Sequence, residues 1–356
     1  MIVLTQFERK PLLFKEPVSL ISTHNPSSLE ACFAQMERAL KDGYYLAGFL
    51  SYEAGYSLEK RLWQDKQHDF PLVCMGVYGA PLRFSPRFFA PYRTTASLTN
   101  LRLNIQQEKY FDNITAIRNY IAKGDVYQIT YCIKLLFEFS GSPYHLFTAL
   151  LKEQPVPYPA YIQTDEFHIL SFSPEKFIQK KAGFVVTKPM KGTWLRGDTI
   201  ASDFIERMRF GRDKKNRAEN IMIADLLRND LGRVGYNIAV PKLFEVTGYK
   251  TLYQMTSTVT ASLPEEVSLY SLFSAIFPSG SVTGAPKIRA MEIIRGLEEE
   301  ERFIYTGAIG YITPEKDLFF NIPIRTLLIR QGCGEMGIGG GIVWDSSPLG
   351  EWEEGL

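Results

Sequence analysis

Cysteine and histidine are both scarce, with four of each in 356 residues. Cys32, Cys74, Cys132 and Cys333 are scattered and form no C-x-x-C pair. That argues against a zinc site or a disulfide framework and fits a reducing cytosol. No histidine lies near a plausible nucleophile in sequence, so Cys/His or Ser/His catalysis gains little support. An excess of either charge is also lacking: 40 basic residues face 39 acidic ones, for a net charge of +1. The densest basic group, Lys214, Lys215 and Arg217, reads as a solvated helix face, and binding of nucleic acid through a basic stripe is disfavoured. Long apolar runs are missing too. The longest uncharged stretch, Val267 to Pro286, is full of Ser, Gly and Pro and does not suit a membrane span. Glu8, Arg9 and Lys10 precede any long apolar run, so no signal peptide is expected. Neither a repeat of fixed period nor a linker stands out. These absences point to a cytoplasmic globular protein with no nucleic-acid or membrane partner.

Hydrophobic residues make up 45% of the chain and charged residues 22%, enough for a sizeable core. Ser27 or Ser28 can cap a helix running to about Leu40, and "YYLAGFLSY" follows as a strand. Tyr110, Ile114, Ile117 and Ile121 recur at helical spacing up to Gly124, after which "VYQITYCIKLLFEF" reads as one long strand. Helical spacing returns from Ala201 to Arg228 with a break near Gly211. Pro286 suits the first turn of a helix to about Leu297. The last segment is strand-rich, with "DLFFNIPIRTLLI" read as a single strand. Helices fall between groups of strands rather than alternating with them, which predicts an α+β fold with large antiparallel or mixed sheets.

Several residue types in this frame can carry chemistry. In "KPMKGTWLRG" a lysine, Lys191, sits in a turn-prone stretch bounded by Gly192 and Gly197. It reads either as a solvated charge or as a nucleophile whose amine is kept neutral by its surroundings. Glu175 follows a strand and a proline. Glu219 lies on a helix too apolar to be fully exposed, and Glu351 and Glu354 are three apart on one helix face. Glutamates converging from separate helices suit Mg²⁺ and an anionic substrate. "PSGSVTGAPK" places small residues before a helix N-terminus with Lys287 nearby, an arrangement suited to a carboxylate. Arg325, read as mid-strand among apolar neighbours, needs a bidentate partner from the protein or a ligand. "GIGGGIV" leads into no helix and is not a dinucleotide loop, and "QGCGE" lacks the spacing of a nucleophile elbow.

The segments "AENIMIADLLRNDLGRV", "PSGSVTGAPKIRAMEIIRGLE", "YTGAIGYI", "IPIRTLLI" and "GIGGGIVWDSSPLGEWEE" resemble the chorismate-utilising enzymes. That family comprises anthranilate synthase component I, aminodeoxychorismate synthase component I, and the isochorismate and salicylate synthases. The likeness covers roughly residues 105 to 356, the chorismate-binding catalytic region. Residues 1–104 resemble the more variable first part of the same α+β unit. The implied fold is that of anthranilate synthase component I, with two large, mostly antiparallel sheets enclosing the active site and helices outside.

The resemblance further implies a set of roles. Glu219 and Glu354 bind Mg²⁺, with Glu351 beside them. Tyr305, Arg325 and Gly339, Gly340 and Gly341 hold substrate carboxylates, and Ser281, Thr283 and Gly284 line the substrate. Gln128, Thr193 and Gln254 are expected at the substrate as well, Gln254 standing where many members carry histidine. "TWL" after Gly192 replaces the commoner Thr-Arg-Pro. Glutamine at 128 with lysine at 191 is the aminodeoxychorismate synthase pattern, in which Lys191 is the nucleophile and Glu175 the general acid. The implied reactants are chorismate and ammonia, the latter supplied by a glutamine amidotransferase subunit (component II). Anthranilate synthase component I and a non-catalytic chorismate binder are the rival readings. The first carries alanine where Lys191 stands, and the second needs no nucleophile.

Overall fold

The computed structural model describes residues 1–83, 96–250 and 252–355. Its strands assemble into two ten-stranded sheets, antiparallel throughout. One sheet is built around Gln128–Ser140, which pairs with Cys333–Ile342 from Cys333↔Glu138 to Ile342↔Ile129. It continues through Thr326–Arg330, His168–Ser173 and Tyr158–Gln163 to the N-terminal strands Ile2–Phe7 and Lys10–Phe14. The other runs from Met190–Leu195 through Leu252–Ser262, Phe184–Lys188, Lys176–Lys181, Leu318–Asn321 and Ala308–Ile312. It ends in Tyr45–Leu50, Val73–Tyr78 and Ser19–Thr23. This is the α+β arrangement that the sequence resemblance implies.

Strand alternation decides what each face does. In Tyr45–Leu50, Leu46 and Leu50 join a cluster with Phe33 and Met36 of the helix Leu29–Lys41. Ala47 and Phe49 point the other way and meet Val3, Phe7 and Ile162 of the facing sheet. Each sheet therefore has one face toward its partner and one under helices. The same rule governs Gln128–Ser140. Ile129, Tyr131 and Ile133 pack under Ile114, Ile117 and Ile294 from the helices Gln107–Ala122 and Lys287–Leu297. Gln128, Thr130 and Cys132 are thereby turned to the opposite, inner face.

Three local expectations need correction. "DLFFNIPIRTLLI" is two strands, Leu318–Asn321 in one sheet and Thr326–Arg330 in the other, so Arg325 sits at the crossover, with φ +51°. Pro323 cannot donate to a ladder, and its position marks the break. Lys191 lies in the strand Met190–Leu195 rather than a turn; Gly192 holds φ +87° where the register with Leu252–Ser262 shifts. Pro286 is the N-cap of Lys287–Leu297, not a residue of its first turn. Ser28 is the N-cap of Leu29–Lys41, as expected, but its side chain makes no capping hydrogen bond; the side-chain cap here is that of Asn25, which accepts from Ser27 N and opens a short preceding 3₁₀ turn. Among the described residues, no helix is long and apolar enough to cross a membrane.

Candidate active site

The inner face of the paired strands Gln128–Ser140 and Cys333–Ile342 forms the floor of the site, because Gly339 and Gly341 there supply no side chains. A Cβ on Gly341 would overlap the amide nitrogen of Gln128 and stand 3.0 Å from Lys191 Nζ. One on Gly339 would lie 2.6 Å from Cys132 Sγ and 3.3 Å from the Tyr305 hydroxyl. Gly340 faces the other way, with Glu351 Oε2 3.2 Å from its Cβ position. Residues far apart in sequence thus meet within a methyl's reach of one bare strip of backbone.

Gln128 is fully buried, yet neither its carbonyl oxygen nor its amide nitrogen has a hydrogen-bond partner. Gln254 Oε1 is similarly orphaned in the opposite sheet. Buried polar atoms are nearly always satisfied, so the orphaned Gln128 amide at the floor beside Lys191 marks where a polar ligand is received. Arg325 contributes a half-buried guanidinium with no side-chain hydrogen bond or ion pair among the described residues. Burial lowers its pKa, and only the Tyr249 and Tyr305 hydroxyls offset this. An unpaired guanidinium facing two tyrosines suits a carboxylate.

Glu175 is buried beside these groups. Its Oε1 accepts the Met190 N–H at 3.2 Å, and the Ser281 hydroxyl, itself 3.0 Å from Ser279 Oγ, lies near enough to favour the carboxylate form. Burial nevertheless dominates and pushes the carboxyl up to about 7. Lys191 keeps part of its surface exposed, but burial is the largest influence on its amine and lowers the pKa. Glu219, Glu175 and Glu351 act in the opposite direction. The two groups are thereby both moved toward their neutral forms, the carboxyl by a raised pKa and the amine by a lowered one.

The carboxylates expected at a metal are brought toward one another without being closed into a cage. Glu351 and Glu354, on the helix Pro348–Gly355, share a cavity of about 140 Å³ with Tyr110, Tyr131 and Gly340. Glu219, on Lys214–Gly232, feels both of them: burial raises its pKa first, and Glu351 and Glu354 add to that. Glu351 is likewise raised by burial and by Glu354. Among the described residues, no three His, Cys, Asp or Glu side chains form a preformed metal-ligand group. An all-oxygen set of carboxylates, Glu219 and Glu351 half-buried and Glu354 exposed, nevertheless fits Mg²⁺, which keeps waters and takes few protein ligands.

The loop before Lys287–Leu297 is buried and inward-facing. Thr283 Oγ1 donates to Ser279 O at 3.0 Å, and the Thr283 carbonyl accepts from Thr130 N at 2.7 Å. Gly284 pairs with Ile129, and a Cβ there would overlap the Gln128 carbonyl, so glycine permits the close approach. Lys287, expected to serve an anion, is instead held by Asp230 at 2.6 Å and donates to Ile276 O. Thr193 is exposed; it is paired with Gln254 across the strands, but no hydrogen bond brings it into the cluster. Tyr249, which borders both Arg325 and Glu175, was not singled out from the sequence. It lies in the connection between two long strands, where no local pattern marks it.

The sequence profile of the chorismate binding enzymes matches residues 5–356. Aminodeoxychorismate synthase component 1 of Klebsiella aerogenes is 40% identical over 268 residues, covering 74% of this chain and 59% of that protein. Anthranilate synthase component 1 of Aquifex aeolicus is 36% identical over 257 residues, covering 72% of this chain and 52% of that one. The chain thus spans little more than half the length of these relatives. The structure of anthranilate synthase component I from Streptococcus pneumoniae superposes with a TM-score of 0.80 at 22% identity, covering 99% of this chain and 88% of that one. The menaquinone-specific isochorismate synthase of Escherichia coli gives the same TM-score at 17% identity, covering 99% and 86%.

Proposed function

The chain belongs to the family of chorismate-binding enzymes, and we propose that within it the protein acts as an aminodeoxychorismate synthase component I. It would convert chorismate and ammonia to 4-amino-4-deoxychorismate for para-aminobenzoate and folate synthesis. The observation that carries this reading is the placement of the Lys191 amine beside Gln128 and Gly341, with Glu175 as its acidic neighbour. A nucleophilic amine and a carboxylic acid are the two groups that direct amination at C4 requires.

In the first step the neutral Lys191 amine adds to C2 of chorismate, the ring double bonds shift, and the C4 hydroxyl leaves as water with the Glu175 proton. In the second, ammonia adds at C4, the double bonds shift back, and the C2–N bond breaks to return the lysine amine. Burial supports both roles, since it favours the uncharged form of each group before reaction. Arg325 and Tyr305 are suited to a substrate carboxylate, and Gln128 and Gln254 to the remaining polar groups. Glu219, Glu351 and Glu354 are the residues that would hold Mg²⁺, which would neutralise the ring carboxylate.

Ammonia is proposed to come from a separate glutamine amidotransferase subunit. This chain has no G-x-C-x-G elbow of its own, and the relatives with that activity are named as component 1. The test is mass analysis of the product from chorismate, ammonium and Mg²⁺. The expected product retains the enolpyruvyl side chain and carries an amino group in place of the C4 hydroxyl. Release of pyruvate with formation of anthranilate would overturn the reading.

A further inference from the structure

One buried ion pair lies against the site and takes no part in the steps above. Arg302 is 3% exposed, and its guanidinium donates from every nitrogen. Nε reaches Glu298 Oε2 at 2.8 Å, and Nη2 reaches Glu298 Oε1 at 2.6 Å and Thr130 O at 2.7 Å. Nη1 reaches Val282 O at 2.9 Å and Thr306 Oγ1 at 3.2 Å. All five N–H donors of the fork are thereby used. The pair is braced in turn: Glu298 Oε1 accepts Cys132 N at 2.8 Å, Glu53 Oε1 accepts Arg302 N at 2.8 Å, and the Tyr52 ring lies 4.3 Å beneath the guanidinium.

Apart from Glu298, the partners come from three separate segments, and each carries a site residue. Thr130 and Cys132 belong to the strand that begins at Gln128. Val282 lies between Ser281, whose hydroxyl faces Glu175, and Thr283. Thr306 follows Tyr305. We propose that Arg302, locked by Glu298, is a positioning residue that sets the spacing of these three segments and so holds Ser281 against Glu175 and Tyr305 against the substrate pocket. Lysine cannot substitute, because one ammonium cannot reach two carbonyls, a hydroxyl and both oxygens of a carboxylate at once.

A role in folding alone and a role in positioning predict different results. The groups facing Glu175 are the Ser281 hydroxyl, the Met190 N–H, Lys191, Tyr249 and Tyr305. Of these, Ser281 and Tyr305 are tied to the clamp through their neighbours Val282 and Thr306, and the Ser281 hydroxyl pulls the Glu175 carboxyl down. Loosening the loop moves that hydroxyl away, and the limb of the pH profile belonging to Glu175 moves to higher pH.

The inference rests on the proposed synthase activity, and the full chain with chorismate, ammonium and Mg²⁺ serves for the assay. Arg302→Lys is expected to lower kcat/KM about a hundredfold, as a sub-ångström misplacement can. The loss should be shared between kcat and KM, with the limb near pH 7 shifted upward. Thr306→Val is isosteric and removes a single acceptor of the clamp; about a tenfold loss in the same direction is expected. It decides the matter alone if Arg302→Lys fails to fold. Folded variants with wild-type kcat/KM, or with reduced rate but an unmoved limb, overturn the positioning role. A wild-type chain that makes no aminodeoxychorismate overturns the underlying reading instead.

Discussion

Glu175 Oε1 accepts the backbone N–H of Met190, the residue immediately before Lys191. The acid is therefore anchored to the backbone of the strand that carries the amine. Their charge states are also linked, since each favours the ionised form of the other while burial opposes both. Their titrations belong to the pair.

The first prediction concerns that pair. Glu175 must be protonated to act; its protonated fraction is full well below about 7 and is lost as pH rises through that value. Lys191 imposes the opposite requirement, its amine becoming available as pH rises. The kcat/KM profile should therefore be bell-shaped with one limb near pH 7. Glu175→Gln should cost about 10²- to 10⁴-fold and abolish that limb. A limb that survives the substitution belongs to another group.

Lys191→Ala should abolish turnover to aminodeoxychorismate and, with it, a covalent adduct detectable by peptide mass analysis when chorismate is supplied without ammonia. Lys191→Arg should not rescue, because a guanidinium stays protonated and cannot attack. Aminodeoxychorismate formed by Lys191→Ala at the wild-type rate would leave the lysine as a positioning charge only.

Gly341→Ala tests the floor of the site. The added methyl would overlap the Gln128 amide and approach Lys191 Nζ to 3.0 Å. Overpacking of this kind costs about 1–3 kcal/mol, and a rate loss of about tenfold or more is expected with little change in Tm. Combining it with Gln128→Ala should recover part of the loss attributable to the clash. Strict additivity of the two in a double-mutant cycle would mean that they do not meet.

Metal dependence is the fourth expectation. Thorough chelation should abolish turnover, and Mg²⁺ should restore it. Glu354→Ala should weaken the response to Mg²⁺ by an order of magnitude or more, partly recovered at high Mg²⁺ (about 10- to 100-fold is usual for losing a ligand's support). Calorimetric titration of Mg²⁺ into the variant gives a readout independent of activity. Full turnover in chelator would remove the carboxylates from this role.

The sequence made some of this plain and hid the rest for identifiable reasons. Elements with a clean period were legible: the long strand from Gln128 and the helix containing Ile114 and Ile117 both have one face to bury and a breaker at the end. Lys191 and Glu175 were found through neighbouring motif residues, not through local pattern. Arg325 was misplaced because apolar residues predominate on both sides of it in "FFNIPIRTLLI". Each half is buried on both faces, so hydropathy does not register the passage from one sheet to the other. Lys191 was assigned to a turn because Gly192 reads as a breaker, whereas at φ +87° it makes an irregularity within a strand and sits against Asn216. The Arg302–Glu298 clamp was invisible for a third reason. "GLEEEERF" looks like a solvated acidic run, and the bond from Cys132 N to Glu298 joins positions 166 residues apart.

The strand order also bears on how the chain is made. Ala308–Ile312 and Leu318–Asn321 lie in the middle of one sheet, and Thr326–Arg330 and Cys333–Ile342 in the middle of the other. During synthesis from the N-terminus, Tyr45–Leu50 and Lys176–Lys181 emerge long before the strands that must lie between them. His168–Ser173 and Gln128–Ser140 wait in the same way. Until those later strands insert, two half-sheets carry unpaired edges, each a template for pairing with a neighbouring chain.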